Sequence, residues 1–273
     1  MHILVAKADG ETEPFDEKKL LQSLKRAGAE ESSAHEISAF VKMGLYSGIT
    51  THEIYRRAFA HLRKHRKAAA ARYSLKRAIQ DFGPSGFPFE AFLSELFRAE
   101  GWETQVDQIV KGVCVEHEVD VLMIKGGETI CVEAKFHNTP GFKTDLKVAL
   151  YVKARIDDIA ARPRPGGGTL RGMIVTNTKF SSQAVIYGQC QNMELLSWEE
   201  PQGKSLHERI EKTHLYPITA LTTLSRQEKS ALLAERVVLC RRLAHHEDAL
   251  ARAGVPRRRM QEVLEEAGGL CSL

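Results

Sequence analysis

Three charged residues near the middle of the chain have the types and the spacing to hold a divalent cation beside an ammonium group. Asp120 precedes Glu133, and Lys135 follows Glu133 with one residue between them. Two neighbouring carboxylates can hold a hard divalent cation such as Mg²⁺ or Mn²⁺, and an ammonium group beside them can stabilise charge on a reacting oxyanion. Glu90, further upstream, is a fourth candidate for this chemistry.

A β-hairpin is expected to position these residues. Residues 119–124 and 129–132 are apolar and β-branched, and a glycine pair, 126–127, separates them. A two-residue loop at these glycines places Asp120 opposite Glu133, and Glu118 opposite Lys135, with all four on one face. Opposed carboxylates about 5 Å apart repel each other, so the pattern predicts a cation between them. The alternative is a structural ion cluster that Lys135 alone neutralises.

Helices and strands surround the predicted hairpin in an order typical of a mixed sheet covered by helices on both faces. Apolar spacing predicts helices over 89–99, 145–159 and 182–189, and strands over 102–106, 112–115, 173–176 and 194–197.

This arrangement resembles the PD-(D/E)xK nuclease superfamily, and within it the Mrr-like restriction endonucleases, over about residues 87–198. Glu90, Asp120, Glu133 and Lys135 carry the resemblance, although Val119 stands where the pattern usually has a proline. The resemblance implies hydrolysis of DNA with Mg²⁺ or Mn²⁺, and a restriction or phage-defence role. It implies that Asp120, Glu133 and the backbone carbonyl of Ala134 hold the metal, and that the four charged residues are catalytic.

The N-terminal segment has a predicted strand over 3–7, a helix entry at Asp16 and the spacing of a capping box at Thr50 and Glu53. Over residues 1–82 it resembles the ATP-cone, a regulatory nucleotide-binding domain. The resemblance implies ATP or dATP as a regulatory ligand, with lysines near its phosphates and other side chains around its base and sugar. Ala8 stands where the family often has a second basic residue. The implied contacts are Lys7 and Lys19 to phosphates, and Glu13, Asp16, Thr51 and Tyr55 to base and sugar.

Lysines near a glycine turn and helix N-termini are a physically reasonable site for a polyphosphate. The alternative is that Lys7 and Lys19 are surface residues of a small helical module and bind no ligand.

In the C-terminal segment, helices are predicted over 225–251 and 256–267, with Ser225 and Glu228 in capping-box spacing. Three consecutive arginines, 257–259, begin the last helix, where cations oppose the helix dipole and indicate an anionic partner.

Length and composition fit an α/β (α+β) multidomain protein. The 273 residues divide into an ATP-cone segment (1–84), an endonuclease-like segment (85–200) and a helical C-terminal segment (201–273), with net charges of +5, −4 and +3. The five cysteines are scattered without zinc-type spacing, which is typical of reduced thiols. No apolar stretch is long enough for a membrane span, so a cytoplasmic location is expected.

The sequence predicts a metal-dependent DNA endonuclease regulated by ATP or dATP. Because ATP-cones commonly act by changing oligomeric state, we also expect a homo-oligomer. The main alternative is a nucleotide-sensing DNA-binding regulator whose nuclease fold no longer cuts, and a purely structural assembly factor is a third hypothesis.

Overall fold

The structure is a computed structural model that describes residues 3–8, 10–163, 167–243 and 246–271. The chain forms two compact units. The first comprises Met1–Asp81 together with Tyr216–Leu273, and the second comprises Phe82–Leu215. Residues 201–215 therefore group in space with the residues that precede them. The three-segment division at residues 84 and 200 stays a prediction.

The N-terminal part combines a three-stranded sheet with five helices. Its sheet has the order β2-β1-β3, in which β1 is antiparallel to β2 and parallel to β3. The apolar faces of the helices meet in a core that includes Leu24, Ile37 and Ala58. The elements are β1 (Leu4–Ala6), β2 (Thr12–Pro14), α1 (Glu17–Arg26), α2 (Glu31–Met43), β3 (Ile49–Thr50), α3 (Thr51–His65), α4 (Lys67–Tyr73) and α5 (Leu75–Gln80).

The second unit is built on a five-stranded mixed sheet of order β10-β8-β6-β5-β4. Strand β5 is antiparallel to both of its neighbours, β4 and β6, whereas β6, β8 and β10 run parallel to one another. Its elements are α6 (Phe87–Ala99), β4 (Glu103–Lys111), β5 (Glu116–Lys125), β6 (Glu128–Lys135), β7 (Lys143–Thr144), α7 (Leu146–Ala161), β8 (Thr169–Thr176), β9 (Lys179–Phe180), α8 (Ser182–Cys190), β10 (Glu194–Leu196) and α9 (Leu206–Thr213).

The β5–β6 hairpin has the predicted register. Val121 pairs with Val132, and the ladder continues to Lys125 and Glu128 at the turn. Gly126 and Gly127 have φ angles of 57° and 83°, and positive φ at both loop positions is what a type I′ turn requires. The ladder ends at the Val121–Val132 pair, so the predicted Glu118–Lys135 pair lies beyond it.

Helices cover both faces of the sheet, as expected. On one face, Ser94 of α6 contacts Thr104 of β4 through their hydroxyl groups, 2.9 Å apart. On the other face, Val152 and Ile156 of α7 pack in a core that includes Cys131 of β6. The sheet is therefore held between two helix layers, and α7 lies on the face that carries the side chains of odd-numbered β6 residues.

The predicted strand over 112–115 is wrong. These residues form a bend after β4, which is one strand of nine residues. Asp158 of α7 accepts hydrogen bonds from the amides of Cys114 (2.8 Å) and Val115 (3.3 Å) and lies 2.7 Å from Nε2 of His117. Because a side chain on a distant helix satisfies these amides, the bend is stable without a strand partner.

Over its described residues, 216–243 and 246–271, the C-terminal part has a short 3₁₀ turn, Ile218–Ala220, and four helices. These are α10 (Arg226–Ala234), α11 (Cys240–Leu243), α12 (Glu247–Arg252) and α13 (Arg257–Cys271). The capping box at Ser225 and Glu228 is confirmed. The continuous helix predicted over 225–251 is wrong, since the chain leaves the helical conformation at Arg236, where φ is 61°. Leu239 then pairs with Pro217 in an antiparallel bridge.

Among the described residues, none of the helices has the length and apolar character that a bilayer-spanning helix needs.

Candidate active site

Strands β5 and β6 bring Asp120 and Glu133 to the same level of the sheet. The two residues directly follow the last ladder pair, Val121–Val132. The Ala134 amide donates a hydrogen bond of 2.6 Å to Oδ2 of Asp120, so the Asp120 carboxylate reaches across to β6. The structure therefore places these two acids next to each other, as the hairpin pattern predicts.

Asp120 is the carboxylate with incomplete charge compensation. Its partial burial raises its pKa to about 6, and the nearby charge of Glu133 adds to this effect. The Ala134 hydrogen bond and the positive charge of Arg155 act in the opposite direction. A raised carboxylate pKa means that additional positive charge close to Asp120 is favourable.

Glu133 is buried, with 8% of its surface exposed, and has its own counter-ion within the protein. Arg155 Nη1 lies 2.5 Å from Oε2, and the Tyr151 hydroxyl donates a hydrogen bond to Oε1. Glu133 is therefore charge-compensated without an inorganic cation, and metal binding by this residue stays a prediction. The alternative in which Lys135 alone neutralises the acids is wrong, because Arg155 is the nearer cation.

Lys135 stands at the edge of this cluster. Its Nζ lies 4.0 Å from Oε1 of Glu133, 3.4 Å from the Tyr151 hydroxyl and 5.9 Å from the Tyr151 ring centroid. The ammonium group is thus close to both the acid and the tyrosine without a short bond to the carboxylate. This position leaves it able to approach a bound anion.

Glu90 belongs to the same acidic region and reaches it from α6. Burial, followed by the charges of Asp120 and Asp107, raises the pKa of Glu90 to about 7. Asp107 interacts with Glu90 directly through its side chain. Asp107 lies opposite Asp120, because the residues on either side of it pair across β4 and β5, Val106 with Val121 and Gln108 with Val119. The structure therefore brings all four predicted catalytic residues into one region.

Sequence reasoning missed three residues of this region: Asp107, Tyr151 and Arg155. Tyr151 and Arg155 are four positions apart on α7, a spacing that places two side chains on one helix face. The signal available in the sequence was this i, i+4 pair on the helix that follows the hairpin. Asp107 carried a weaker signal, an acid in the middle of an alternating strand.

The carboxylates of Asp120 and Glu133 fit a divalent cation that takes its remaining ligands from waters and from the substrate phosphate. Asp120 and Glu133 offer carboxylate oxygens, the ligand type that Mg²⁺ and Mn²⁺ prefer. Within the described ranges, no three or more His, Cys, Asp or Glu side chains are grouped as a preformed metal site. Mg²⁺ usually keeps several waters and binds through one or two carboxylates plus substrate phosphate, and two acids with one under-compensated charge match that pattern.

The first unit gathers several of the predicted nucleotide-site residues. Oε2 of Glu13 lies 3.0 Å from Nζ of Lys7 and 3.3 Å from Nζ of Lys19. Asp16 is the N-cap of α1, and its Oδ1 accepts hydrogen bonds from the amides of Lys18 (2.9 Å) and Lys19 (3.4 Å). The two lysines therefore converge on one carboxylate, while the Asp16 side chain is engaged by the helix.

Thr51 begins α3 beside this lysine cluster. Strands β1 and β3 are parallel, and Ala6 pairs with Thr50. Lys7 and Thr51 are therefore the first residues after the carboxyl ends of two adjacent strands. The capping box of Thr50 and Glu53 is present at the start of α3. A helix N-terminus next to an ammonium group is favourable for a phosphate.

Tyr55 lies one turn further along α3, in an aromatic stack. Its ring centroid is 5.4 Å from that of Tyr73 on α4, with an interplanar angle of 5°, and 5.8 Å from that of Phe59. Burial raises the pKa of the Tyr55 hydroxyl. Its ring thus contributes to the packing of α3 on α4, while Thr51 is exposed.

Comparisons with known proteins match each part of the chain. Residues 3–82 match the ATP cone domain, residues 84–200 match a restriction endonuclease family of the Mrr catalytic type, and residues 216–271 match the family described as AF1548-like, C-terminal. An uncharacterized protein of Archaeoglobus fulgidus is 35% identical over 176 residues, which are 64% of this chain and 97% of that protein.

Two solved structures are similar to this chain to different degrees. The crystal structure of AF1548, a protein of unknown function, aligns with a TM-score of 0.56 at 34% identity, over 67% of this chain and 97% of that one. The MspJI restriction endonuclease in complex with a 27-mer oligonucleotide aligns with a TM-score of 0.34 at 15% identity, over 82% of this chain and 44% of that one. The second similarity is too remote to inform the site.

Proposed function

The chain belongs to the AF1548-like family and joins an ATP-cone domain to an Mrr-type restriction endonuclease domain, and on this premise we propose that it is a metal-dependent DNA endonuclease. It hydrolyses phosphodiester bonds with Mg²⁺ or Mn²⁺, under control of ATP or dATP bound to the ATP-cone. A cytoplasmic location and a role in restriction or phage defence are part of this proposal.

The observation that carries the proposal is the placement of Asp120, Glu133 and Lys135 together at the end of the β5–β6 ladder. Asp120 and Glu133, with the carbonyl of Ala134, would hold the metal ion. A bound divalent cation neutralises a scissile phosphate and lowers the pKa of a water. The unmet negative charge at Asp120 supports binding of a cation there.

Lys135 is proposed to stabilise negative charge in the reaction, and Glu90 is proposed to accept or donate a proton. The Lys135 ammonium would stabilise the extra negative charge of the pentacovalent phosphate or orient the attacking water. Glu90 has a pKa of about 7, so its carboxyl group can hold or release a proton near neutral pH. By resemblance to the family, the products carry a 5′-phosphate and a 3′-hydroxyl.

Regulation is proposed to begin at Lys7 and Lys19. Each lysine is now paired with Glu13, and a polyphosphate at the start of α3 would draw both ammonium groups toward it. Glu13, Asp16, Thr51 and Tyr55 would surround the sugar and base. We expect nucleotide binding to change the oligomeric state, and light scattering of nucleotide-free, ATP and dATP samples measures this. Identical masses in all three samples would contradict it.

A plasmid-cleavage assay tests the catalytic proposal. Wild-type protein should cut DNA in Mg²⁺ or Mn²⁺ and not in EDTA, and Asp120→Ala and Lys135→Ala should lose the activity. Lys147→Ala is the matched control, because Lys147 is an exposed residue of α7 that takes no part in the site. Undiminished cutting by the two site variants removes those residues from the mechanism.

The specific contact between Arg155 and Glu133 favours a second candidate function. A carboxylate that already has a guanidinium partner fits a nucleotide-sensing DNA-binding regulator that does not cut. DNA binding without turnover in Mg²⁺ and in Mn²⁺, with and without nucleotide, would support this alternative over the first.

A further inference from the structure

We infer that Arg155 is a built-in counter-ion of the proposed metal site, which a divalent cation displaces from Glu133, and that the freed guanidinium then binds the substrate phosphate. This inference rests on the proposed function and adds a residue and a mode of control to the same site. Arg155 lies on α7, outside the strands that carry Asp120, Glu133 and Lys135.

Arg155 occupies a ligand position of the acid it neutralises. Its Nη1 lies 2.5 Å from Oε2 of Glu133, and the Tyr151 hydroxyl takes the other oxygen, Oε1. A metal ion that binds Glu133 through Oε2 therefore competes with the guanidinium. Removal of the guanidinium without a replacement would take the nearest counter-ion from a buried carboxylate, which is unfavourable.

The positive charge of Arg155 acts on both acids, as a bound cation would. Besides its contact with Glu133, it opposes the rise in the pKa of Asp120. Its side chain is 24% exposed, so the guanidinium reaches the acids from a helix surface. In this inference the long side chain leaves the carboxylate by rotation about its own bonds, while its backbone stays fixed on α7.

Tyr151 gives Glu133 a second anchor that does not depend on Arg155. The Arg155 guanidinium lies 5.6 Å from the Tyr151 ring centroid, and Lys135 Nζ lies 5.9 Å from it. Both cations thus lie near the ring, and the tyrosine hydroxyl still holds Glu133 when the guanidinium leaves. A planar guanidinium matches the geometry of a phosphate with two parallel hydrogen bonds, which makes the substrate phosphate the natural new partner.

Calcium binding in the absence of DNA tests the displacement. Titration calorimetry would compare wild-type protein with Arg155→Gln, which removes the competing cation and should bind Ca²⁺ about tenfold more tightly. Lys153→Gln is the matched control: it removes one positive charge from the same helix, where Lys153 pairs with Asp157 at 2.5 Å. Its Ca²⁺ affinity should stay within about twofold of wild type. Equal or weaker Ca²⁺ binding by Arg155→Gln would overturn the inference.

Thermal unfolding gives a second readout that is independent of activity. Without metal, Arg155→Gln should melt at a lower temperature than Lys153→Gln, because only the first removes the nearest counter-ion of a buried carboxylate. Saturating Ca²⁺ should raise the melting temperature of Arg155→Gln more than that of wild type. An equal increase in both proteins would speak against displacement.

The wild-type protein provides the test if Arg155→Gln does not fold. The NMR signal of the Arg155 side-chain Nε–Hε group, assigned by its disappearance in Arg155→Lys, should shift on addition of Ca²⁺. A signal that Ca²⁺ leaves unchanged means that the guanidinium stays on Glu133 and overturns the inference.

DNA cleavage separates this inference from the proposed function. At saturating Mg²⁺, Arg155→Gln should cut at least about tenfold more slowly than wild type, and Arg155→Lys should recover part of the rate. If wild type does not cut but Arg155→Gln binds Ca²⁺ more tightly, the proposed function fails and the displacement stands. If wild type cuts and Ca²⁺ affinity is the same in both proteins, only the inference fails.

Discussion

The backbone of Ala134 holds the side chain of Asp120, through a hydrogen bond of 2.6 Å from the amide to Oδ2. The contact joins β5 to β6 just beyond the last ladder pair, Val121–Val132. Because the donor is part of a sheet strand, the position of the carboxylate is set by rigid secondary structure. Sites built on strands in this way are more precisely positioned than sites on loops.

Asp120→Asn should stabilise the protein while it abolishes cleavage. The Asp120 pKa is raised to about 6 from a usual value of 3.8, so ionisation in the folded state opposes folding. The cost is absent below about pH 4, grows between the two pKa values and is complete above pH 6. Urea denaturation at pH 7.5 should show a gain of about 1–3 kcal/mol, and the gain should vanish near pH 4.

The control for this substitution is Asp157→Asn, because Asp157 is exposed and pairs with Lys153 on the surface of α7. Its free energy of unfolding should differ from that of wild type by less than about 1 kcal/mol at pH 7.5. If Asp120→Asn is destabilising at pH 7.5, Asp120 is better compensated than its surroundings indicate.

Metal affinity should fall as the pH drops through about 6. A carboxylate must be deprotonated to bind a metal ion, and Asp120 has a pKa of about 6 before binding. Calorimetric titration with Ca²⁺ should show a constant affinity from pH 7 to 8 and a decrease of about tenfold per pH unit below 6. Equal affinities at pH 8 and pH 5 would show that Asp120 is not a ligand.

Lys7→Gln should weaken ATP and dATP binding by about 10- to 100-fold, the usual effect of one lost charge-assisted hydrogen bond. Lys7 lies beside the N-terminus of α3 and pairs with Glu13 at 3.0 Å. Calorimetry with ATP and dATP measures the change. Lys18→Gln is the control, since Lys18 is an exposed residue of α1 outside the cluster. Equal losses in the two variants would point to a general charge effect.

Glu266→Gln should destabilise the first unit by about 2–3 kcal/mol. The buried Glu266 carboxylate accepts four hydrogen bonds, from the amides and hydroxyl groups of Thr222 and Thr223, at 2.6–2.9 Å. A glutamine places an NH₂ group against donors that need an acceptor. Urea denaturation should show this loss, and the neighbouring exposed Glu265→Gln should change stability by less than about 0.5 kcal/mol. A neutral Glu266→Gln would mean that the turn before α10 does not depend on this carboxylate.

Local patterns predicted the hairpin and its register. The glycine pair at 126–127 accepts the positive φ of a tight turn, and alternation then determines which residues face the same way. The same reasoning identified Asp120, Glu133 and Lys135, because their convergence needs only one turn. The capping boxes at Thr50 and Ser225 were predictable for the same reason, since each is formed by residues three positions apart.

Contacts between distant segments decided what the patterns did not show. Residues 112–115 bend because Asp158 binds their amides, and the helix predicted over 225–251 is interrupted where Leu239 pairs with Pro217. In both places, hydrogen bonds between residues far apart in sequence satisfy the backbone N–H and C=O groups. The strand or helix that the local pattern favours therefore does not form.

The sequence by itself determined the pair of acids, the neighbouring lysine and the turn that aligns them, because these depend on short-range geometry within one hairpin. Only the tertiary structure decided that Arg155 is the cation at Glu133 and that Tyr151 shares this carboxylate. The apolar side of α7 packs on the sheet, and this burial carries two polar side chains to a buried acid. The physical reason is that the partner of a buried charge is determined by which surfaces pack together, and packing joins residues that no local pattern connects.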